Sequence, residues 1–237
     1  MTDRVQEKPS RPGALSLLRE LQTPLALPAF IVQSPKLRGA PRGDGRPVLL
    51  APGYMAGRLS MEPLAVYLRR LGYEARPWRL GRNHGDVDDL VAAFCEEVTE
   101  FAKTHGAPVT LIGWSLGGVI VRETARLIPK AVREVITLGS PIVGGPKYTS
   151  VGGYYARRFG IDLDAFELEV DERNRLGLTQ PVTSIYSKAD GVVDWRASID
   201  TYNPQARNIE VSGSHFSLGF NAPVWRLIAD TIGAAAS

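Results

Sequence analysis

Gly113-Trp114-Ser115-Leu116-Gly117 is the stretch of this chain best suited to chemistry. It ends the apolar run that starts at Pro108. It opens Leu116–Ile128, in which Ile120, Thr124, Leu127 and Ile128 recur at helical spacing before Pro129 stops the pattern. A serine between a strand and a helix sits on a tight turn with a strained backbone. Glycines two before and two after it remove side chains that would collide with the neighbouring strand and helix. The turn lifts the hydroxyl above the sheet. The helix N-terminus aims free N–H groups and its positive dipole end at the place where an oxyanion would form. So short a pattern recurs by chance, and its weight comes from the strand before it and the helix after it.

A serine nucleophile needs a base, and the base needs an orienting acid. On a sheet of this kind they follow in the order Ser, Asp, His, each in a loop after a later strand. Asp190 follows the strand Val182–Tyr186, and His215 follows Ile209–Val211. Both stand at carboxyl ends of strands, the edge where parallel sheets place ligands. The chain has three histidines. His105 ends a helix before Gly106, in reach of its last carbonyls. His84 lies at the carboxyl edge but precedes the serine, so His215 is the expected base. Asp194 and Asp200 compete with Asp190, which is nearest the strand end and is followed by a glycine that suits a tight loop. The expected oxyanion hole pairs the backbone N–H of Leu116 with that of Tyr54, in the loop Pro52–Gly57, with Met55 as the next candidate.

The elements needed to position these residues are legible. Val48–Ala51 is a short buried strand. Ser60 caps a helix running to Leu71, with Gly72 just beyond it. Tyr73–Trp78 is a second strand, followed by the loop Gly81–Asp86. Asp86 opens a helix whose inner face is Leu90, Phe94, Val98 and Phe101. Glu134–Leu138 is the strand after the serine helix. Asn221 caps a last helix, with Val224, Leu227, Ile228 and Ile232 facing in. Alternating strands and helices predict an α/β fold with a mostly parallel sheet of about six strands and helices on both faces. Residues 142–180 read as a looser cap insertion, in which Tyr148, Tyr154 and Tyr155 either line a tunnel or pack the cap. The expected division is an arm over 1–45 and one domain over 46–237.

Composition narrows the class. At 237 residues, 44% hydrophobic and 22% charged, the chain suits one soluble globular domain. The net charge of +3 is small and the arginines are scattered, so no nucleic-acid partner is expected. One cysteine excludes an internal disulfide and fits a reducing compartment; Cys95 falls on an apolar helix face. No stretch is apolar and long enough for a signal peptide or a membrane span, and the expected location is cytoplasmic. Leu15, Leu18 and Leu21 mark a helical face in the arm, followed by Leu25–Val32 with Pro24 and Pro28. This is either an arm packed on the domain, or a cap over the site or peripheral membrane anchor. The prolines favour the first.

Together these residues resemble the α/β-hydrolase superfamily, and within it bacterial lipases and esterases. The closest likeness is to a bacterial family of little-characterised hydrolases. It is carried by Leu50-Ala-Pro-Gly-Tyr54, Trp78-Arg-Leu-Gly-Arg-Asn83, Gly113–Gly118, Ile136-Thr-Leu-Gly-Ser-Pro141, Asp190-Gly-Val-Val193 and Gly213-Ser-His215. The resemblance runs from Arg46 to Ile232. It implies an ester hydrolase acting through an acyl-enzyme on Ser115, with His215 and Asp190. Such an enzyme takes a small-molecule or lipid acyl ester and needs no metal or organic cofactor. Acyltransferases, thioesterases and amidases share this triad; a non-catalytic binding protein of the same fold would lack part of it. Pro52-Gly53 stands where many lipases have His-Gly, and the first two strands of the full fold are missing. The resemblance assigns no role to Arg82 or Asn83, which either order the oxyanion loop, bind the cap, or are structural.

Overall fold

Six strands form one parallel sheet: β1 (Pro47–Ala51), β2 (Glu74–Pro77), β3 (Val109–Trp114), β4 (Val132–Leu138), β5 (Val182–Tyr186) and β6 (Arg207–Glu210). The structure is a computed structural model and describes residues 8–234. The strand order is β2-β1-β3-β4-β5-β6. The chain leaves β1 toward β2 on one side and returns to β3 on the other. That reversal opens a crevice at the carboxyl ends of β1 and β3.

The described helices are α1 (Ala26–Gln33), α2 (Glu62–Leu71), α3 (Val87–His105), α4 (Leu116–Leu127), α5 (Gly152–Phe159), α6 (Leu163–Arg175) and α7 (Ala222–Ala234). Strand side chains alternate between the two faces of the sheet. Val48, Leu50, Ile112 and Ile136 pack against α2 and α7 through Leu64, Leu68, Trp225 and Ile228. Leu49, Ala51, Leu111 and Val135 pack against α3 and α4 through Phe94, Val98, Ile120 and Val121. Both faces are covered, which is why every residue of β1 and β3 is buried.

Two segments differ from their sequence patterns. The cap is helical: α5 and α6 fill most of residues 142–180. Only a narrow stripe of α6, around Phe166 and Val170, faces inward, so its mostly charged sequence shows little periodicity. Asp162 caps it by accepting from the N–H groups of Asp164 and Ala165 at 3.0 and 2.8 Å. In the arm the prolines do not break the helical path. A 3₁₀ helix over Ala14–Leu25, then α1, then a 3₁₀ turn over Ser34–Leu37 follow one another. Pro28 stands in the first turn of α1, where no N–H donor is required. Phe30 packs edge-on against Trp225 of α7 at 4.6 Å between ring centroids.

One ion pair is fully enclosed. Arg122 of α4 donates to Asp200 at 2.6 Å, with side-chain exposures of 2% and 0%. Asp200 also accepts from the N–H groups of Tyr202 and Asn203 and from the Asn203 side chain. Removing one partner of such a pair strands a buried charge. Asp200→Ala should therefore cost about 3–5 kcal/mol in urea unfolding. A loss below about 1 kcal/mol would show that the pair contributes little.

Candidate active site

Ser115 has φ 54° and ψ −123°, a conformation that L side chains seldom adopt. The turn is held there by close packing. A Cβ on Gly117 would strike the Ala51 carbonyl, and one on Gly113 would strike Gly117 itself. Only hydrogen fits at either position, so α4 starts directly against the ends of β1 and β3. The Ser115 N–H donates to the Leu138 carbonyl at 2.8 Å, which ties the turn to β4.

Asp190 and His215 meet in a buried pair. His215 Nδ1 lies 2.7 Å from Asp190 Oδ2, with side-chain exposures of 3% and 1%. A carboxylate only accepts, so Nδ1 carries the proton and Nε2 keeps its lone pair. The other oxygen, Oδ1, accepts from the N–H groups of Val192 and Val193 at 2.8 Å each, which locks the carboxylate's orientation. Burial pushes the His215 pKa down. The Asp190 charge and hydrogen bond, with the Glu20 charge, push it up by more, and the net shift is upward.

Trp114, the residue before Ser115, touches His215. Its indole N–H donates to the His215 carbonyl at 3.3 Å, and the two rings lie 6.2 Å apart. The Ser115 hydroxyl does not itself hydrogen-bond the imidazole in this structure. Such contacts often tighten only when substrate binds.

The competing residues are engaged elsewhere. Asp194 caps a 3₁₀ turn by accepting from the Arg196 N–H at 2.8 Å, and it holds the Ser10 N–H and hydroxyl. Asp200 belongs to Arg122. His84 is exposed and accepts from the Asp86 N–H at 3.4 Å. His105 contacts the Phe101 carbonyl at 2.9 Å, at the end of α3.

At the mouth of β1, Met55 has φ 60°, and its N–H donates to the Asn83 carbonyl at 2.7 Å. Met55 is thereby removed as a donor, which leaves Tyr54 as this loop's candidate; Tyr54 and Leu116 line the same cavity. Asn83, fully buried, holds this loop from three sides. Its side chain donates to the Pro52 carbonyl at 2.9 Å and accepts from the Gly85 N–H, and its own N–H donates to the Ala56 carbonyl at 2.8 Å. Of the readings open for Asn83, this geometry fits the ordering of the Tyr54 loop; Arg82 is exposed.

Ser115 and Leu116 open into a cavity of about 230 Å³ beneath the cap, with Ile142, Tyr155, Phe159 and Val170 among its walls. The Tyr155 hydroxyl donates to the Gly85 carbonyl at 2.6 Å. Burial pushes its pKa up to about 12, so it stays protonated as a donor. Tyr148 instead donates to Glu167, and Tyr154 is 52% exposed. Of the three cap tyrosines only Tyr155 lines the cavity: α5 turns a narrow face of Tyr155 and Phe159 toward it, and Tyr148 stands in a 3₁₀ turn before that helix.

Sequence reasoning gave no sign of Glu20. Its carboxylate accepts from the N–H groups of Gly191 and His215 at 2.9 Å each and of Phe216 at 3.1 Å. The one available signal is that Glu20 is the only Asp or Glu between Glu7 and Asp44. Among the described residues, no group of three His, Cys, Asp or Glu side chains is placed to hold a metal, and no helix is long and apolar enough to cross a membrane.

Residues 47–232 match the alpha/beta hydrolase family. The chain belongs to that family. Solved structures share the fold at low identity. An alpha/beta hydrolase enzyme, MGS-MChE2, from a sediment metagenome of the Mar Chica lagoon, Morocco, superposes with a TM-score of 0.56 at 18% identity, over 81% of this chain and 91% of that one. The mature form of the Bacillus licheniformis lipase BlEst2 gives 0.58 at 17%, over 81% and 94%. The Paleococcus ferrophilus monoacylglycerol lipase gives 0.58 at 16%, over 81% and 96%. No curated protein matches the sequence.

Proposed function

We propose that this alpha/beta hydrolase is a serine carboxylic ester hydrolase of the esterase and lipase kind. The observation that carries the reading is the strained Ser115 turn at the sheet's switch point, whose preceding residue Trp114 bonds the loop of the buried His215–Asp190 pair. Ser115 Oγ attacks the acyl carbon and gives its proton to His215 Nε2. The oxyanion accepts from the N–H groups of Tyr54 and Leu116. The bond to the alcohol breaks, and Nε2 returns the proton to the departing oxygen. Water then attacks the acyl-enzyme, its proton passes through Nε2 to Ser115, and the acid leaves. Asp190 holds the imidazole and offsets the charge it gains. The apolar cavity beneath α5 and α6 takes the acyl chain. An alcohol, thiol ester or amide in place of water or ester would use the same groups.

A fluorophosphonate should label the wild type at Ser115 and leave Ser115→Ala unlabelled but folded. On nitrophenyl esters of graded chain length, His215→Ala should lower turnover by about 10³-fold or more, and His84→Ala and His105→Ala by far less. Equal labelling of wild type and Ser115→Ala would sink the reading.

The raised His215 pKa sets a sign for the pH profile. Protonated imidazole cannot act as the base, so activity is lost on the acid side. The midpoint of that limb in kcat/KM should lie above the ordinary imidazole value of 6.5. A midpoint below 6.5 contradicts the proposed environment.

A lipid surface is the partner we assign to the arm. Leu15, Leu18 and Leu21 are 78%, 56% and 72% exposed, while Ser16 and Glu20 between them bind the domain. One side of the segment is therefore held and the other is apolar, as in an interfacial helix. Wild type should sediment with anionic phospholipid vesicles, and a Leu18→Glu, Leu21→Glu variant should stay in solution. Identical sedimentation of the two removes the arm from this role.

A further inference from the structure

We propose that Glu20 is a positioning residue for the Asp190–His215 pair, acting from the N-terminal arm as a clamp across the two loops that carry it. The inference rests on the serine hydrolase reading for its effect on turnover, but the clamp itself is measurable without it.

The two loops leave different strands. Asp190 follows β5 and His215 follows β6. Glu20 joins them with a single carboxylate: one oxygen takes the N–H groups of Gly191 and His215, and the other takes that of Phe216. One of these donors is the backbone of the base itself, and another belongs to the residue after the acid. Bonds from N–H groups to a carboxylate are shorter and stronger than neutral ones. Backbone anchoring at these points leaves the imidazole and carboxyl side chains little room to separate.

The rest of the arm supports the same placement. The Ser16 hydroxyl donates to the Gly191 carbonyl at 2.9 Å, and the Arg19 guanidinium donates to the Lys188 carbonyl at 3.1 Å. A Cβ on Gly191 would strike the Ser16 carbonyl, so the glycine after the acid is what lets the arm come this close. Ser10 holds Asp194 farther along the same loop. One further link, from the Ser187 hydroxyl to the Gly213 carbonyl at 2.5 Å, joins the loops without the arm. The loops are therefore already neighbours, and Glu20 sets their fine register.

Glu20 also adds charge. Asp190, from the loop after β5, and Glu20, from the arm, are the charged groups that raise the His215 pKa. The rings of Trp114 and Phe216 that face His215 carry none. Lys188, near Asp190 in the chain, is paired with Glu210 at 2.7 Å. Losing the Glu20 charge lowers the imidazole pKa and moves the acid limb of kcat/KM toward lower pH.

The test compares Glu20→Gln with Glu20→Ala in the full chain, below the melting temperature of each. The glutamine keeps an acceptor oxygen and loses the charge; the alanine loses both. Amide exchange at Gly191, His215 and Phe216 should become at least about tenfold faster in Glu20→Ala, with a smaller change in Glu20→Gln. The His215 imidazole titration, followed by NMR, should move down in both. Turnover per fluorophosphonate-labelled site should fall on the order of 10-fold to 100-fold in Glu20→Ala with KM nearly unchanged, and recover substantially in Glu20→Gln. If exchange at the three amides and the imidazole titration match wild type in Glu20→Ala, the clamp is refuted, whatever Ser115 does. A wild type that Ser115 labelling shows to be inert, but whose amides and imidazole respond as expected, overturns the hydrolase reading and leaves the clamp standing.

Discussion

Helix α4 meets the sheet at a distance that only glycine allows, and the candidate site depends on that contact. Gly117 rides on the carbonyl at the end of β1, and Gly113 lies under Gly117. With the helix pressed this close, the residue between strand and helix is forced to a positive φ. The strain there is of order 1–3 kcal/mol, and the packing around it holds it in place. In return the start of α4 faces the crevice between β1 and β3. A larger residue at either glycine would tilt the helix away. The Ser115 turn and the N–H of Leu116 would then shift together.

The polar groups at the site come from chain segments far apart in sequence, and each is fixed by bonds that leave one function free. Asp190 spends one oxygen on two backbone N–H groups and the other on His215. His215 spends Nδ1 on Asp190, so Nε2 is left as the basic nitrogen. Met55 spends its N–H on Asn83, so Tyr54 is the proposed donor from this loop. The Tyr54 loop is in turn continuous with the cap. Asn83 fixes the loop, Gly85 follows it, and Tyr155 of α5 closes on the Gly85 carbonyl. The roof of the cavity and the proposed oxyanion hole thus share one network.

Much of this was legible in the sequence because it follows from short-range rules. Short strand-like runs and helical patterns marked all six strands and the helices that cover them, since each must bury apolar surface. Glycines on both sides of Ser115 marked the turn, because sterics alone demand them. The order of strands and loops placed Asp190 and His215 at the serine's edge of the sheet. The cap escaped this reading because α6 buries only a thin stripe, so most of its residues follow solvent rather than a period. The arm's helical path was hidden by prolines whose effect depends on whether they fall in a first turn.

What the sequence by itself determined is the alternation of strands and helices, the strained serine turn, and the short set of acids and bases open to it. The tertiary structure pairs one of those acids with one of those bases. Asp194 and Asp200 carry the same carboxyl group as Asp190, but one caps a turn and the other pairs with a buried arginine. Glu20 lies 195 residues from His215 in the chain, and no local pattern joins them. Local sterics and burial leave their mark residue by residue, so they can be read from the chain. Which oxygen meets which N–H across the fold depends on how distant segments dock, and that exists only once the sheet, the cap and the arm have come together.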